Sequence, residues 1–227
     1  TWDLLVERMN SYLANTLGNL VNRTISMSNK YFNGVVANAG VTDGFDKNLM
    51  DVALDTKHKV VKCMSKLSVA DAMTEIFNLF KRCNKYIDET MPWALAKDPE
   101  NKDRLSAVLY NLVESITIGA SLLTPFMPET AERIFAQLNS SERSMDELEM
   151  FGLYKSGNKV TDKPEILFAR LDAKEVQAKV EELNISKQTQ EAEEEKKDDE
   201  PVIDIEAKEE ITFDDFEKMQ FQVGELI

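Results

Sequence analysis

From Trp2 to Phe32, apolar side chains recur in steps of three and four: Leu5, Met9, Leu13, Leu17, Leu20, Met27 and Tyr31, with Thr24 continuing the stripe. Side chains at that spacing share one face of a 3.6-residue helix, so the chain opens on a long amphipathic helix with Gly18 as its one weak point. Such a helix has one dry face and must bury it against other elements. Asn33-Gly34 ends it, because both residue types tolerate positive φ. The same period returns from Asp46 to Leu67, carrying Leu49, Val52, Ala53, Val60 and Met64. Ser68, with Asp71 three residues on, predicts a capped start for a third helix through Phe77, Phe80 and Tyr86 to about Glu89. The segment Thr90-Met91-Pro92-Trp93 is irregular, since proline ends the helical run. A fourth helix fits Asn101 to about Leu123, and a fifth fits Pro128 to Leu138, with Pro128 suited to the first turn. No internal repeat of fixed period is present. The fold class is therefore all-α, an antiparallel bundle of about five helices joined by short loops.

Beyond Leu138 the pattern weakens. Met145 to Phe151 predicts a short helical turn, Ile166-Leu167-Phe168 an extended strip, and Ala173 to Leu183 a charged helix. Gln188 to Glu200 is low-complexity and rich in Glu, Lys and Asp, too polar to bury enough surface to order itself. From Ile211 on, apolar alternation resumes (Phe213, Phe216, Met219, Phe221, Val223), although only 27 residues follow Glu200. That length is too short for an independent core. The expected organisation is a helix bundle with a C-terminal extension over 1–185, a disordered acidic linker over 186–210, and the truncated start of another domain over 211–227.

Net charge is −14. Taken alone, that argues against nucleic acid as a partner. Its distribution matters more than its sum: residues 1–172 carry 20 Lys/Arg and 23 Asp/Glu, and residues 173–227 carry 7 and 18. The body is close to neutral and the tail is acidic. A neutral body can hold a local RNA site but attracts RNA weakly by field, which predicts modest affinity.

Little in the chain points to catalysis. His58 is the only histidine and sits between Lys57 and Lys59, so neither a metal cluster nor a Ser–His triad can be built around it. Cys63 and Cys83 fall in helical patterns and read as free thiols of a cytoplasmic protein. The glycines are scattered, so no phosphate-cradling loop forms, and the carboxylates lie in charge runs typical of solvated faces. The chain opens without a signal segment, and no run of about 18 uncharged apolar residues marks a membrane span. Two features suit binding instead. Asn19 and Arg23, four apart on the first helix, can reach one ligand, their amide and guanidinium meeting base edges or phosphate. Trp93, after Pro92 at a helix-to-loop junction, can stack on an unpaired base.

Four segments resemble the methionyl-tRNA synthetase family. Asn15-Thr16-Leu17-Gly18-Asn19-Leu20-Val21-Asn22-Arg23 is similar to that family's A-N-D-L-G-N-L-V-x-R, with Thr16 in place of the common Asp. Tyr86-Ile87-Asp88-Glu89-Thr90-Met91-Pro92-Trp93-Ala94-Leu95-Ala96-Lys97 is similar to Y-[IV]-D-x-x-x-P-W-x-[LV]-x-K. Leu123-Thr124-Pro125-Phe126-Met127-Pro128 resembles L-x-P-x-[ML]-P, and Leu167-Phe168-Ala169-Arg170-Leu171-Asp172 resembles L-F-x-R-[IL]-D. The order and separations agree over residues 1–185, and Ile211 to Gly224 resembles the opening strand of an appended OB-type tRNA-binding domain. Met64-Ser65-Lys66 is not counted as a nucleotide loop, since Cys63 stands where the Lys-Met-Ser-Lys signature needs lysine.

The resemblance implies that Asn19, Arg23 and Trp93 recognise the CAU anticodon of tRNA(Met), with Trp93 stacked on the first base. It implies further that adenylation, with ATP, Mg and in some members zinc, belongs to a catalytic domain outside these 227 residues, so that this chain alone is inactive and carries no cofactor. The implied partners are tRNA(Met), that catalytic domain, and a second copy through the OB-type domain, with no membrane, in the cytoplasm. Two other readings stay open on the residues alone: a helical protein-interaction module with Trp93 in its core, and the anticodon domain of another class I synthetase.

Overall fold

A computed structural model describes residues 2–194 and 212–213. Two compact units succeed one another along the chain, Thr1–Ala178 and Lys179–Ile227. The first is the expected helix bundle. Its helices are α1 (Trp2–Met9), α2 (Asn19–Phe32), α3 (Gly44–Met64), α4 (Val69–Thr90), a short α5 (Pro92–Leu95), α6 (Lys102–Leu123) and α7 (Pro128–Leu138). α8 (Ala173–Glu194) begins in this unit and runs past its end. α3 and α4 form an antiparallel hairpin, with Arg82 Nε donating to Asn48 at 2.6 Å near one end and Lys59 within 3.9 Å of Glu75 near the other.

α6 is the axis of the body. Every residue from Leu105 to Leu123 is buried, because α2, α3, α4 and α7 all pack on it. By length and apolarity it would pass for a membrane span, but its burial within the bundle makes it a core helix. Gly119 permits the tightest approach: a Cβ there would lie 2.4 Å from the Phe80 ring. This core also holds a full charge. Glu114 is entirely buried and accepts from both terminal nitrogens of Arg143, at 2.7 and 2.6 Å. It also accepts from the backbone N–H groups of Gly152, Leu153 and Tyr154 at 2.6–3.0 Å.

Four sequence expectations need correction. The first helix is not α-helical throughout, because Asn10–Gly18 is π-helical and separates α1 from α2. Leu5 and Met9 accordingly lie exposed, and Val6 is the buried residue of α1. Ser68 stands at the start of α4 but makes no side-chain cap, its ψ of 68° leaving the extended range that aims a capping oxygen back. The capping box is instead at α3, where the Asp43 carboxylate accepts from Phe45 N–H and Asp46 accepts from Asp43 N–H. Ile166-Leu167-Phe168 forms no strand; the one strand pair among the described residues is antiparallel, Val35–Val36 (β1) with Asn158–Lys159 (β2). The linker expected from 186 overlaps α8, which runs to Glu194 and whose Gln, Glu, Lys and Ala residues favour helix. The rest of that linker, 195–210, and the expected domain start over 211–227, apart from Thr212 and Phe213, lie outside the described residues.

Two expectations concern stability. Glu114→Gln removes the charge that Arg143 is buried against, and breaking a buried pair from one side costs about 3–5 kcal/mol. Urea unfolding should read that loss at an unchanged m-value. Burial holds Tyr110 and Tyr154 un-ionised up to about 12, against an ordinary value of 10.0, and the neighbouring Glu114 charge adds to the shift at Tyr110. The folded state thus keeps phenolic protons that the unfolded chain gives up. Its stability is full below pH 10 and declines as pH rises toward about 12, which a melting series across that range should record.

Candidate nucleic-acid interface

Asn19 opens α2 and Arg23 follows one turn later, while Leu17, Leu20 and Thr24 around them face the core. The two side chains therefore stand together on the outer face of α2. The Asn19 amide has no hydrogen-bond partner among the described residues. Arg23 lies 3.8 Å from Asp88, beyond hydrogen-bond reach, with 34% and 69% of the two side chains accessible. Its donors are otherwise unused among the described residues. By contrast, Arg82, Arg104, Arg133, Arg143 and Arg170 each donate hydrogen bonds within the protein.

Asp88 lies in the last turn of α4, which brings Arg23 to the place where that helix stops. The stop is made by Met91, which takes a left-handed φ of 44°. A non-glycine residue there costs on the order of 1–3 kcal/mol and persists only where its surroundings fix it. Pro92 follows at the first position of α5 with its ring buried, and the next residue turns outward: Trp93 is 44% exposed. Its indole makes no hydrogen bond and no ring or cation contact among the described residues. A buried tryptophan normally finds a partner for its N–H, and this half-exposed one has none among the described residues.

A buried node sets where this turn sits. Asp46, at the start of α3, accepts from both terminal nitrogens of Arg104 at 2.8 and 2.7 Å and from the Tyr86 hydroxyl. Tyr86 also accepts from Asn111 at 3.3 Å. Burial and the Asp46 carboxylate together push the Tyr86 phenol far above its ordinary range. The node pins the end of α4 and the beginning of α6 to α3, and α5 spans between them. Sequence reading missed Asp46, Arg104 and Glu114, since a charged residue in a helical pattern reads as solvated until its partner is known.

Next to Asn19 the surface dips into a groove of about 450 Å³ lined by Asn15, Gly18, Asn19, Asn22 and Phe168. A larger concavity of about 800 Å³ lies elsewhere, between Val60 and Met64 of α3, Leu122 of α6, Phe126 and Met145. It is mostly apolar, and the cation in its lining, Arg143, is already committed to Glu114. His58 is exposed, 3.4 Å from Glu149, and both cysteines are free. Burial raises the Cys83 thiol to about 12.

Residues 36–187 match the family model described as the anticodon binding domain of methionyl tRNA ligase. That span includes Trp93 and leaves out Asn19 and Arg23. The methionine–tRNA ligase of Clostridium tetani is 45% identical over 99% of this chain and 33% of its own length. That of Bacillus subtilis is 41% identical over 98% and 33%. The chain thus spans about a third of the length of these relatives. Among solved structures, the free form of Mycobacterium tuberculosis methionyl-tRNA synthetase superposes with a TM-score of 0.69 at 29% identity, covering 75% of this chain and 34% of that one. The same enzyme in complex with methionyl-adenylate gives 0.68 at 30% identity, covering 74% and 33%.

Because Asn19 and Arg23 make no side-chain hydrogen bond among the described residues, replacing either by Ala should change folding stability by no more than about 0.5 kcal/mol, whereas Trp93→Ala, which also loses the packing of the covered part of the indole, should cost more. A midpoint shift in urea larger than that for Arg23→Ala would show that its ion pair with Asp88 is structural.

Proposed function

The chain belongs to the family of methionyl-tRNA ligase anticodon-binding domains, and on that premise we propose that it reads the CAU anticodon of tRNA(Met) through Asn19, Arg23 and Trp93. One observation carries the reading: an exposed indole and an amide, neither hydrogen-bonded among the described residues, and a guanidinium held only by a 3.8 Å ion pair with Asp88 lie on α2 and on the turn next to the helix end that Arg23 reaches. Anticodon bases are unpaired and can be splayed, which gives Trp93 a face to stack on and Asn19 a base edge to meet. The first anticodon base is the one Trp93 takes. Arg23 braces the loop through a base or a phosphate, and Asp88 beside it keeps the guanidinium from being a general anion trap. The alternative of an interaction module with a core tryptophan fits poorly with an indole 44% exposed.

The attachment of methionine belongs, in this reading, to the larger enzyme of which this chain supplies about a third. ATP with Mg, and zinc in some members, act in a catalytic domain outside the chain, in the cytoplasm. That catalytic domain and tRNA(Met) are the partners of these residues, and pairing of two copies falls to the OB-type domain whose start is expected at 211–227.

Titration of the chain with an anticodon stem–loop carrying CAU, against one with the first base changed, tests the assignment. Stacking of one base is worth about 1–3 kcal/mol, so Trp93→Ala should weaken the CAU complex roughly fivefold to 150-fold. It should also remove most of the preference for the first base. An unchanged preference in the Trp93→Ala chain refutes the role given to that residue.

A further inference from the structure

The nine π-helical residues Asn10–Gly18 lie immediately before Asn19. A π turn closes on the fifth residue, and the backbone N–H of Asn19 itself donates to the Ala14 carbonyl in this way. Runs of this length are rare, because the α form is ordinarily preferred; π turns usually appear singly, often at functional sites. Something outside the helix must hold this one.

The irregular strip Leu167–Asp172 crosses the segment and grips it twice. Asn10 Nδ2 donates to the Leu171 carbonyl at 2.9 Å, and the Leu171 N–H donates to Asn10 Oδ1 at 2.8 Å. Arg170 donates through Nε and Nη2 to Asn15 Oδ1 at 3.2 and 2.8 Å. The two gripped asparagines are five residues apart. In an α-helix five residues turn the chain through about 500°, leaving such side chains roughly 140° apart around the axis. They could not both face one strip. Closure on the fifth residue brings them back toward one face. On the other side, Asn84 of α4 donates to the Thr16 carbonyl at 3.0 Å, and the Thr16 hydroxyl donates to the Ser11 carbonyl at 2.9 Å. Gly18 ends the segment, where a Cβ would come within 3.2 Å of the Leu13 carbonyl oxygen and 3.8 Å of Phe168.

We propose that the strip Leu167–Asp172, through Asn10 and Asn15, selects the π form of Asn10–Gly18 and thereby sets the direction in which Asn19 and Arg23 are presented. Each residue gained or lost per turn would rotate α2 about its axis by about 100°, enough to carry Asn19 from the outer face into the flank of α2. Asn10, Asn15 and Arg170 are positioning residues in this scheme. Their value to RNA binding rests on the anticodon reading given to Asn19 and Arg23, whereas the selection of the π form does not depend on it.

The test has two arms, both on the 227-residue chain. In the first, nuclear Overhauser contacts over residues 8–23 are compared between the parent and Asn10→Ala/Arg170→Ala, without RNA. Contacts from closure on the fifth residue should give way to those of closure on the fourth, with the melting temperature little changed; a π pattern that persists in the variant overturns the proposal. In the second arm, Asn10→Ala is measured against the CAU stem–loop in the parent and in an Asn19→Ala/Arg23→Ala background. A loss of about tenfold in the parent and less than about twofold in that background is expected, because a positioning residue acts through the residues it positions. Equal losses in both backgrounds overturn the positioning role. If Asn19→Ala/Arg23→Ala itself binds as tightly as the parent, the anticodon reading fails and takes the positioning role with it.

Discussion

Glu114 is the interaction on which the rest of the body depends. A carboxylate taken out of water in the middle of a core helix is tolerated only if its lone pairs are filled and its charge is matched. Here five N–H groups do so, two from Arg143 and three from the backbone of Gly152, Leu153 and Tyr154. The consequence is topological. The chain beyond α7 has little apolar periodicity with which to choose a path, and Glu114 chooses it by requiring those donors. Once Tyr154 is fixed against α6, its hydroxyl reaches the Leu138 carbonyl, and Asn158–Lys159 pairs with Val35–Val36 just past the end of α2. The strip from Leu167 to Asp172 is then delivered to the first helical segment. A weakly patterned tail becomes a strut along the bundle, and a buried charge aims it.

Asp46 does the same at the start of α6, where it takes Arg104. It takes one donor from its own capping box, two from Arg104 and one from Tyr86, so three helices meet on one carboxylate. The turn carrying Trp93 lies between two of them. With its flanks held, Met91 can stay left-handed and Pro92 can stay buried, which leaves Trp93 outward. The two carboxylates thus divide the work of presenting the candidate site: Asp46 frames the aromatic, and Glu114 directs the strip that grips the helix bearing Asn19 and Arg23.

Much of the bundle was legible because helix burial is periodic and local. The 3.6-residue stripe, Asn33-Gly34 and Pro128 marked helix faces and ends from neighbours only a few residues away, and α7 falls on Pro128–Leu138 as read. What could not be read is non-local. Glu114 and Arg143 stand 29 residues apart, and Asn10 and Leu171 stand 161 apart. Neither partner announces the other. The π segment left only a faint trace: Leu5, Met9, Leu13 and Leu17 advance by four each turn, ahead of the 3.6-residue period, and the structure leaves the first two exposed. For the candidate site, the pairing of Asn19 with Arg23 came from their spacing. That Arg23 meets the end of α4, and that the indole of Trp93 is unpartnered, required the fold.

A near-neutral body with one under-used arginine at its candidate site implies a particular kind of recognition. Each phosphate neutralised on a single strand contributes roughly −0.7 to the salt slope, so one guanidinium tempered by Asp88 gives a shallow dependence and little long-range steering. On the proposed reading, stacking and hydrogen bonds to base edges supply most of the discrimination, and both weaken over about an ångström of misplacement. A site that attracts by field can be loose. One that reads by contact cannot, and on that reading the two buried carboxylates and the clamped helix serve to hold Asn19, Arg23 and Trp93 in place.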